Sequence, residues 1–380
     1  MSDSYKYFTA TRRLYKCAGF HLFGDKADTM KEKIPRFICA FDFVMTIPLL
    51  VIGTLLSEDL IGFTESLVIT INVFNSSTKF FAILINTEKV QDTFRSLRQL
   101  IEEQLKHSES KRSILLKNKN RVDWLLKVFL SNFIVCVSAA VLNTIAENIR
   151  YPEHTRLPLK MWLPITPGTR FYLIFGFILQ IFQCSVGILS FTFSYMTFIG
   201  LIVHVSSQIS ILIEELDNLG DKSSAEQQIV LGTWVQNHRT VIRLVKSINE
   251  IFGRVLFLEI VLSSVQSCLV VFNCSQRPLS DPKQLFFMPF LICTTIMPFT
   301  ICWCGELLVT KSEQLFEAVY NCGWYKMQPK IRKDILLILL NSTSPLTLNS
   351  DETFFLNLAT FLATIQTAYS YLTMLTSVDN

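Results

Sequence analysis

Residues 354–378 read Phe-Phe-Leu-Asn-Leu-Ala-Thr-Phe-Leu-Ala-Thr-Ile-Gln-Thr-Ala-Tyr-Ser-Tyr-Leu-Thr-Met-Leu-Thr-Ser-Val, an apolar run without one charged side chain. A helix needs about 20 such residues to cross the hydrocarbon core of a bilayer. This stretch therefore reads as a membrane span, followed only by Asp379 and Asn380. Upstream, six further runs reach or approach that length: Phe37–Leu56, Ser66–Ile85, Val128–Ala146, Phe171–Val203, Phe252–Phe272 and Leu285–Val309. The second is interrupted by Asn72, Asn75 and Lys79, and the fourth is overlong. The predicted fold class is an all-α membrane protein with seven transmembrane helices.

Composition agrees. Half of the residues are hydrophobic and 17% are charged, with a mean hydropathy of +0.38. A soluble domain carries about a quarter charged residues. Lipid-facing side chains need no polar cover, which accounts for the excess. No apolar run precedes Phe37, so no cleaved signal is expected and an internal span directs insertion. The ten cysteines lie mostly inside apolar runs, and Cys302-Trp303-Cys304 lacks metal or redox spacing. They read as small embedded hydrophobes, and no cofactor or metal is expected. No basic run with interleaved aromatics suggests nucleic acid.

Basic residues orient the spans. Of 35 Lys and Arg, 28 fall in the N-terminal segment and alternate loops on one side, six fall on the other, and Lys79 lies within a span. The N terminus is thus expected in the cytoplasm and the C terminus outside. That orientation is opposite to that of G-protein-coupled receptors, and their Asp-Arg-Tyr and Asn-Pro-x-x-Tyr triplets are missing.

The loops carry their own signals. Glu147–Arg170, on the outer side, holds Pro152, Pro158, Pro164 and Pro167 and reads as an ordered loop or an external cap. Asn273-Cys274-Ser275 is an outer-side glycosylation sequon set close to a span. On the cytoplasmic side, Val90, Phe94, Leu97, Ile101 and Leu105 repeat at helical spacing, as do Leu231, Val235, Ile242, Val245, Ile248 and Phe252. Both patterns predict amphipathic helices that extend the spans into a packed cytoplasmic layer. Pro329 opens a further short helix through Leu340.

At about 100° per residue, the last span shows an uncharged polar half built from Thr360, Thr364, Thr367, Tyr371, Gln366, Ser370, Thr373 and Ser377. Two readings stay open. Hydroxyls hydrogen-bond between membrane helices, and on the wheel alone this is the leading reading. The same face also suits an aqueous path with weak ion selection. A secondary transporter would carry internal repeats and intramembrane acids. Here only Asp42, Glu259 and Glu306 qualify, without a repeat. No intramembrane His/Asp/Glu cluster suggests an enzyme.

The ordered set Ser312, Leu315, Ala318, Tyr320, Trp324, Arg332, Leu336-Leu337, Ser344-Pro345-Leu346, Phe361 and Tyr369-Ser370-Tyr371-Leu372-Thr373-Met374-Leu375 resembles the insect odorant receptors. Leu157, Pro158 and Trp162, and His238 with Ile242, are similar to the family as well. The resemblance implies an odorant-gated, non-selective cation channel subunit. It implies a tetramer assembled with the odorant receptor co-receptor, in the cell membrane of a sensory neuron dendrite. The short connection between spans four and five resembles an odorant-specific tuning subunit rather than the co-receptor. The implied division is 1–309 as an odorant-binding bundle with cytoplasmic extensions, 310–351 as an anchor segment, and 352–380 as the pore helix. Thr367, Ser370, Tyr371, Met374, Ser377 and Val378 would line the pore, with Met374, Ser377 and Val378 at its narrow gate. The implied odorant, a small volatile apolar or aromatic molecule, would lie in the outer half of the membrane. Ile71, Phe74, Asn75, Ser138, Val141, Ile145, Phe175, Leu179, Thr294 and Met297 are the expected contacts. A gustatory-type channel of the same superfamily is the nearest alternative, and a secondary transporter the next.

Overall fold

The structure is a computed structural model. It describes residues 9–20, 30–57, 59–105, 109–150, 156–165, 169–217, 219–220, 222–278, 281, 283–350 and 354–379. Their order is α1 (Thr9–Cys17), α2 (Met30–Leu55), α3 (Leu60–Ile85), α4 (Thr87–Leu105), α5 (Glu109–Arg150), α6 (Arg170–Asp217), α7 (Ser224–Ser275), α8 (Gln284–Asn321), α9 (Pro329–Ser342), β1 (Asn349–Ser350), β2 (Phe354–Phe355) and α10 (Leu358–Asp379).

Local chemistry sets several of these boundaries. Asp59 caps α3 by accepting from the Gly62 amide at 3.2 Å. Ser223 and Glu226 form a capping box at the start of α7. Gly323, at φ +74°, occupies the left-handed region just beyond α8, and Pro329 opens α9 at its first turn.

Six helices, α2, α3, α5, α6, α7 and α8, are long and apolar enough to cross a membrane. The seventh predicted span, α10, has 22 residues. At about 1.5 Å per residue it is long enough to cross. Its hydroxyls leave it without an 18-residue stretch as apolar as those of the other six.

The cytoplasmic extensions are continuous with the spans. α6 runs 48 residues and α7 runs 52, so each projects well beyond one bilayer thickness. The α4 helix packs on these projections. Thr93 meets Ser247 at 2.8 Å, and Lys89 pairs with Glu250. Trp234 of α7 donates to the Leu212 carbonyl of α6 at 2.9 Å. Tyr15 of α1 is buried edge-on against Phe94 and Phe193. These groups join one main core that continues from the membrane into the basic side of the molecule.

The last span begins later than expected. Phe354 and Phe355 are not helical but pair antiparallel with Ser350 and Asn349. This small ribbon is held against α7, where Asn249 donates to the Thr347 carbonyl at 2.9 Å and accepts from the Asn349 amide at 3.2 Å. Asn357 then caps α10, accepting from the Thr360 amide at 2.9 Å. Capping and ribbon pairing override the apolar run that would otherwise start a helix at Phe354.

Candidate functional site: a cavity beneath an outer vestibule

An apolar cavity of about 130 Å³ lies among α2, α3, α5, α6 and α8. α3 contributes Ile69, Asn72, Val73 and Ser76; α5 contributes Phe133, Cys136 and Val137. α6 adds Gln183, Cys184, Gly187, Ile188 and Phe191, and α8 adds Phe286 and Phe290. Asp42, Phe43 and Thr46 of α2 complete it, with Leu159 from the α5–α6 connection. A mostly apolar lining with a few polar groups is the usual chemistry of a small-molecule site. Gln183 is fixed by donating to the Thr46 hydroxyl at 3.0 Å.

None of the ten odorant contacts expected from sequence lines this cavity. Ile71 is buried in a satellite cluster with Val68, Cys136, Leu269 and Phe290. Asn75, Thr294 and Met297 are buried in the packed bundle. Phe74, Ser138, Ile145 and Phe175 are exposed on the outside of the bundle, and Val141 is half-buried. Leu179 packs beside Leu50 and Met161. The lining positions on α3 are turned by one or two residues from those expected, and those on α6 lie deeper. The usable signal is the set of polar side chains inside apolar spans, Asp42, Thr46, Asn72 and Gln183, since such groups are costly in lipid.

Above the cavity is an outer vestibule of about 560 Å³. It is lined by charged groups, among them Asp59, Glu65, Glu147, Arg156, Lys160 and Lys283. Glu65 is buried and gathers three cations: Lys160 at 2.9 Å, Lys283 at 3.1 Å, and Arg277. Asn273 of the sequon is fully buried, donating to the Thr64 hydroxyl at 3.1 Å and to the Leu269 carbonyl at 2.9 Å. In the folded chain this side chain is packed against α3 and does not reach the surface.

Deeper, Lys79 of α3 pairs with Glu259 of α7, and Tyr195 of α6 donates to the same carboxylate. The ammonium lies 4.7 Å from the Tyr195 ring centroid. Phe191, a cavity-lining residue, has its ring 4.3 Å from that of Tyr195. This resolves the oddity of a lysine in the second span. Among the described residues no cluster of His, Cys, Asp or Glu is arranged to hold a metal ion.

α10 packs on α7 and α8 through Phe361, Thr364, Ile365, Ala368, Leu372 and Leu375. Ser370, Tyr371, Met374 and Ser377 face away from the chain's own bundle, and Thr367 is half-buried. Val378 is in the helix, but its side chain lies outside the described residues. Thr367 donates to the Ala363 carbonyl at 2.8 Å, Ser370 to Gln366 at 3.0 Å, Thr373 to Ser370 at 2.8 Å, and Ser377 to Met374 at 2.7 Å. All four bonds stay within the helix, so these hydroxyls do not bind α10 to its neighbours in the chain.

The family described as "7tm Odorant receptor" matches residues 59–369. Odorant receptor 19a of Drosophila melanogaster is 20% identical over 337 residues, covering 86% of this chain and 84% of that protein. Some matches are shorter. One D. melanogaster odorant receptor, 85d, is 29% identical over 230 residues, and the chain spans 53% of its length. The odorant receptor co-receptor of Aedes aegypti is 23% identical over 142 residues, 37% of this chain and 30% of that protein. Among solved structures, insect olfactory receptor OR5 from Machilis hrabei, in complex with eugenol, superposes with a TM-score of 0.86 at 14% identity over 98% of both chains. That likeness concerns the fold. The family match covers most of the chain, taking in five of the six apolar spans, the helical extensions and the first half of α10: this protein belongs to the 7tm odorant receptor family.

Proposed function

We propose that the chain is the odorant-specific subunit of an odorant-gated, non-selective cation channel. In this reading it binds a small apolar or aromatic molecule in the inner cavity and contributes α10 to a pore shared with the odorant receptor co-receptor in a tetramer. The observation that carries the reading is the outward face of α10. Its hydroxyls, with Tyr371 and Met374, are turned away from the bundle and are uncommitted to any other helix of the chain. The Ser and Thr hydroxyls are satisfied by their own helix, but the exposed Gln366 side-chain amide on the same half would be costly in lipid and costs nothing in water. The short connection between α6, ending at Asp217, and α7, starting at Ser224, supports a tuning subunit. That a relative was solved with eugenol supports a ligand of that size and character.

The division into a 1–309 bundle, a 310–351 anchor and a 352–380 pore segment follows from this reading. So does placement in the cell membrane of a sensory neuron dendrite. Ligand binding opens the pore only to the extent that the ligand binds the open arrangement better. Whole-cell recording from cells co-expressing the chain with a co-receptor tests the pore assignment. Met374→Ala and Ser377→Ala are expected to change basal current and the relative permeability of sodium and potassium. If basal current, selectivity and odorant response all match the parent in both variants, α10 is not the pore wall.

A further inference from the structure

The inner cavity and the outer vestibule are neighbours separated by very little. Ile69, Leu159 and Phe286 line both. Ile69 and Phe286 sit on the spans α3 and α8, and the Phe286 ring is stacked on Phe290 with centroids 5.3 Å apart. Leu159 alone of the three belongs to a non-helical segment, the connection 156–165 between α5 and α6.

That segment is sunk into the bundle rather than looped over it, and the helices are shaped to take it. A Cβ on Gly53 of α2 would stand 2.8 Å from the Lys160 carbonyl oxygen. A Cβ on Gly176 of α6 would stand 2.6 Å from the Leu157 side chain. Glycine at these two positions is what lets the segment lie so close. On one side of Leu159, Leu157 fills the Gly176 notch. On the other, Lys160 is tied to Glu65, the Trp162 backbone amide donates to the Leu49 carbonyl at 3.1 Å, and Met161 and Leu163 are buried with Leu50.

Leu159 itself is held differently. Its amide donates to the Gln180 side-chain oxygen at 2.8 Å, and the Gln180 amide donates to its carbonyl at 3.0 Å. Gln180 is fully buried. The backbone of Leu159 is thus pinned by the Gln180 side chain, and its carbonyl also accepts from the Met161 amide at 2.9 Å, while its neighbours are fixed by packing and charge. The two Gln180 bonds tie it to α6, and breaking them exposes buried polar groups that need new partners.

We infer that Leu159 is the access gate of the inner cavity, through which a ligand passes from the outer vestibule and by which ligand size is selected, and that Gln180 is the residue that positions it. The inference deepens the reading of the inner cavity as the ligand site and rests on it. In the arrangement described, Leu159 stands between the two chambers and lines both. Displacing Leu159 joins the two chambers, so small apolar molecules that enter from the outer aqueous side reach Asn72, Gln183 and Phe191 without crossing between lipid-facing helices.

The protein carries its own reporters for a test that needs no known ligand. Cys136 and Cys184 line the inner cavity, and Cys304, fully buried in the main core, serves as a reference for general loosening of the fold. The full chain in membranes is treated with methyl methanethiosulfonate, and the labelling rate at each cysteine is followed by mass spectrometry. The quantity read is the rate at Cys184 divided by that at Cys304. Leu159→Ala is expected to raise it about tenfold, through easier local opening. Gln180→Leu is expected to raise it as well, and Leu159→Trp to lower it. A ratio unchanged in both Leu159 variants overturns the gate and points to access between the spans. The outcome separates from that of the cavity reading. Should a panel of small aromatic odorants slow Cys184 labelling while the ratio ignores Leu159, the ligand site stands and the gate falls. Should the ratio respond while no odorant protects Cys184, the gate stands and the ligand assignment falls.

Discussion

Lys79 looks from sequence like a flaw in the second span, and its explanation lies 180 residues away in Glu259. Both side chains are almost wholly buried, so each charge depends on the other for compensation. Removing one partner of such a pair costs roughly 3–5 kcal/mol, because the other charge is stranded. Lys79→Met is therefore expected to lower the melting temperature of the detergent-solubilised protein sharply. Adding Glu259→Gln, which keeps an acceptor for the Tyr195 hydroxyl, recovers most of the loss. Additive losses in the double variant would show that the two groups are not coupled. Residue-level facts of this kind are legible in the sequence only as isolated anomalies. Asp42, Asn72, Lys79 and Gln183 stand out as polar groups in apolar runs, but the runs themselves do not say which pairs meet. The cavity contacts escape sequence reasoning for a related reason. When both lipid and core favour apolar side chains, a span carries little information about which face turns inward or how deep a neighbour sits.

Elements are far more legible. The spans, the cytoplasmic continuations of α6 and α7, the amphipathic α4 and the Pro-initiated α9 all follow from length, apolar spacing and capping residues. The start of α10 does not, because Phe354 and Phe355 look like helix and are recruited by Asn349 and Ser350 into a ribbon. The approach to α10 is set by α8 as well. The Leu356 carbonyl lies directly against Gly305, in space a Cβ would occupy. Gly305→Ala must push that strand away, a forced shift of the kind that costs about 1–3 kcal/mol. Gly232, in the cytoplasmic part of α7, has nothing within 4 Å of the place an added methyl group would take. Gly232→Ala is expected to stabilise the helix by up to about 1 kcal/mol. Thermal unfolding of the two variants side by side checks both signs. A neutral Gly305→Ala would mean that the segment before α10 has room to yield.

At the scale of the whole molecule, two of the described surfaces stand apart as left uncovered by the chain itself. One is the polar face of α10. The other is α9, which buries Ile331, Ile335 and Ile338 while Leu336, Leu337 and Leu340 stand exposed. A helix apolar on both faces at the basic end of the molecule needs a second partner, since exposed leucine clusters are disfavoured in water. In the proposed tetramer that partner would be a neighbouring subunit, with the cytoplasmic layer as the proposed anchor between subunits. The α9 leucines and the α10 hydroxyls then belong to one assembly: the former hold subunits together, the latter line what the subunits enclose. Leu336→Glu combined with Leu340→Glu leaves the inward isoleucines in place, so the chain itself is expected to fold and to reach the membrane. Co-purification with the co-receptor is expected to fall severalfold, and odorant-evoked current with it, while thiol labelling at Cys184 keeps its parental rate. Full co-purification with current intact would remove α9 from the subunit interface. Loss of Cys184 labelling control together with co-purification would instead mean that the two leucines support the fold of the bundle.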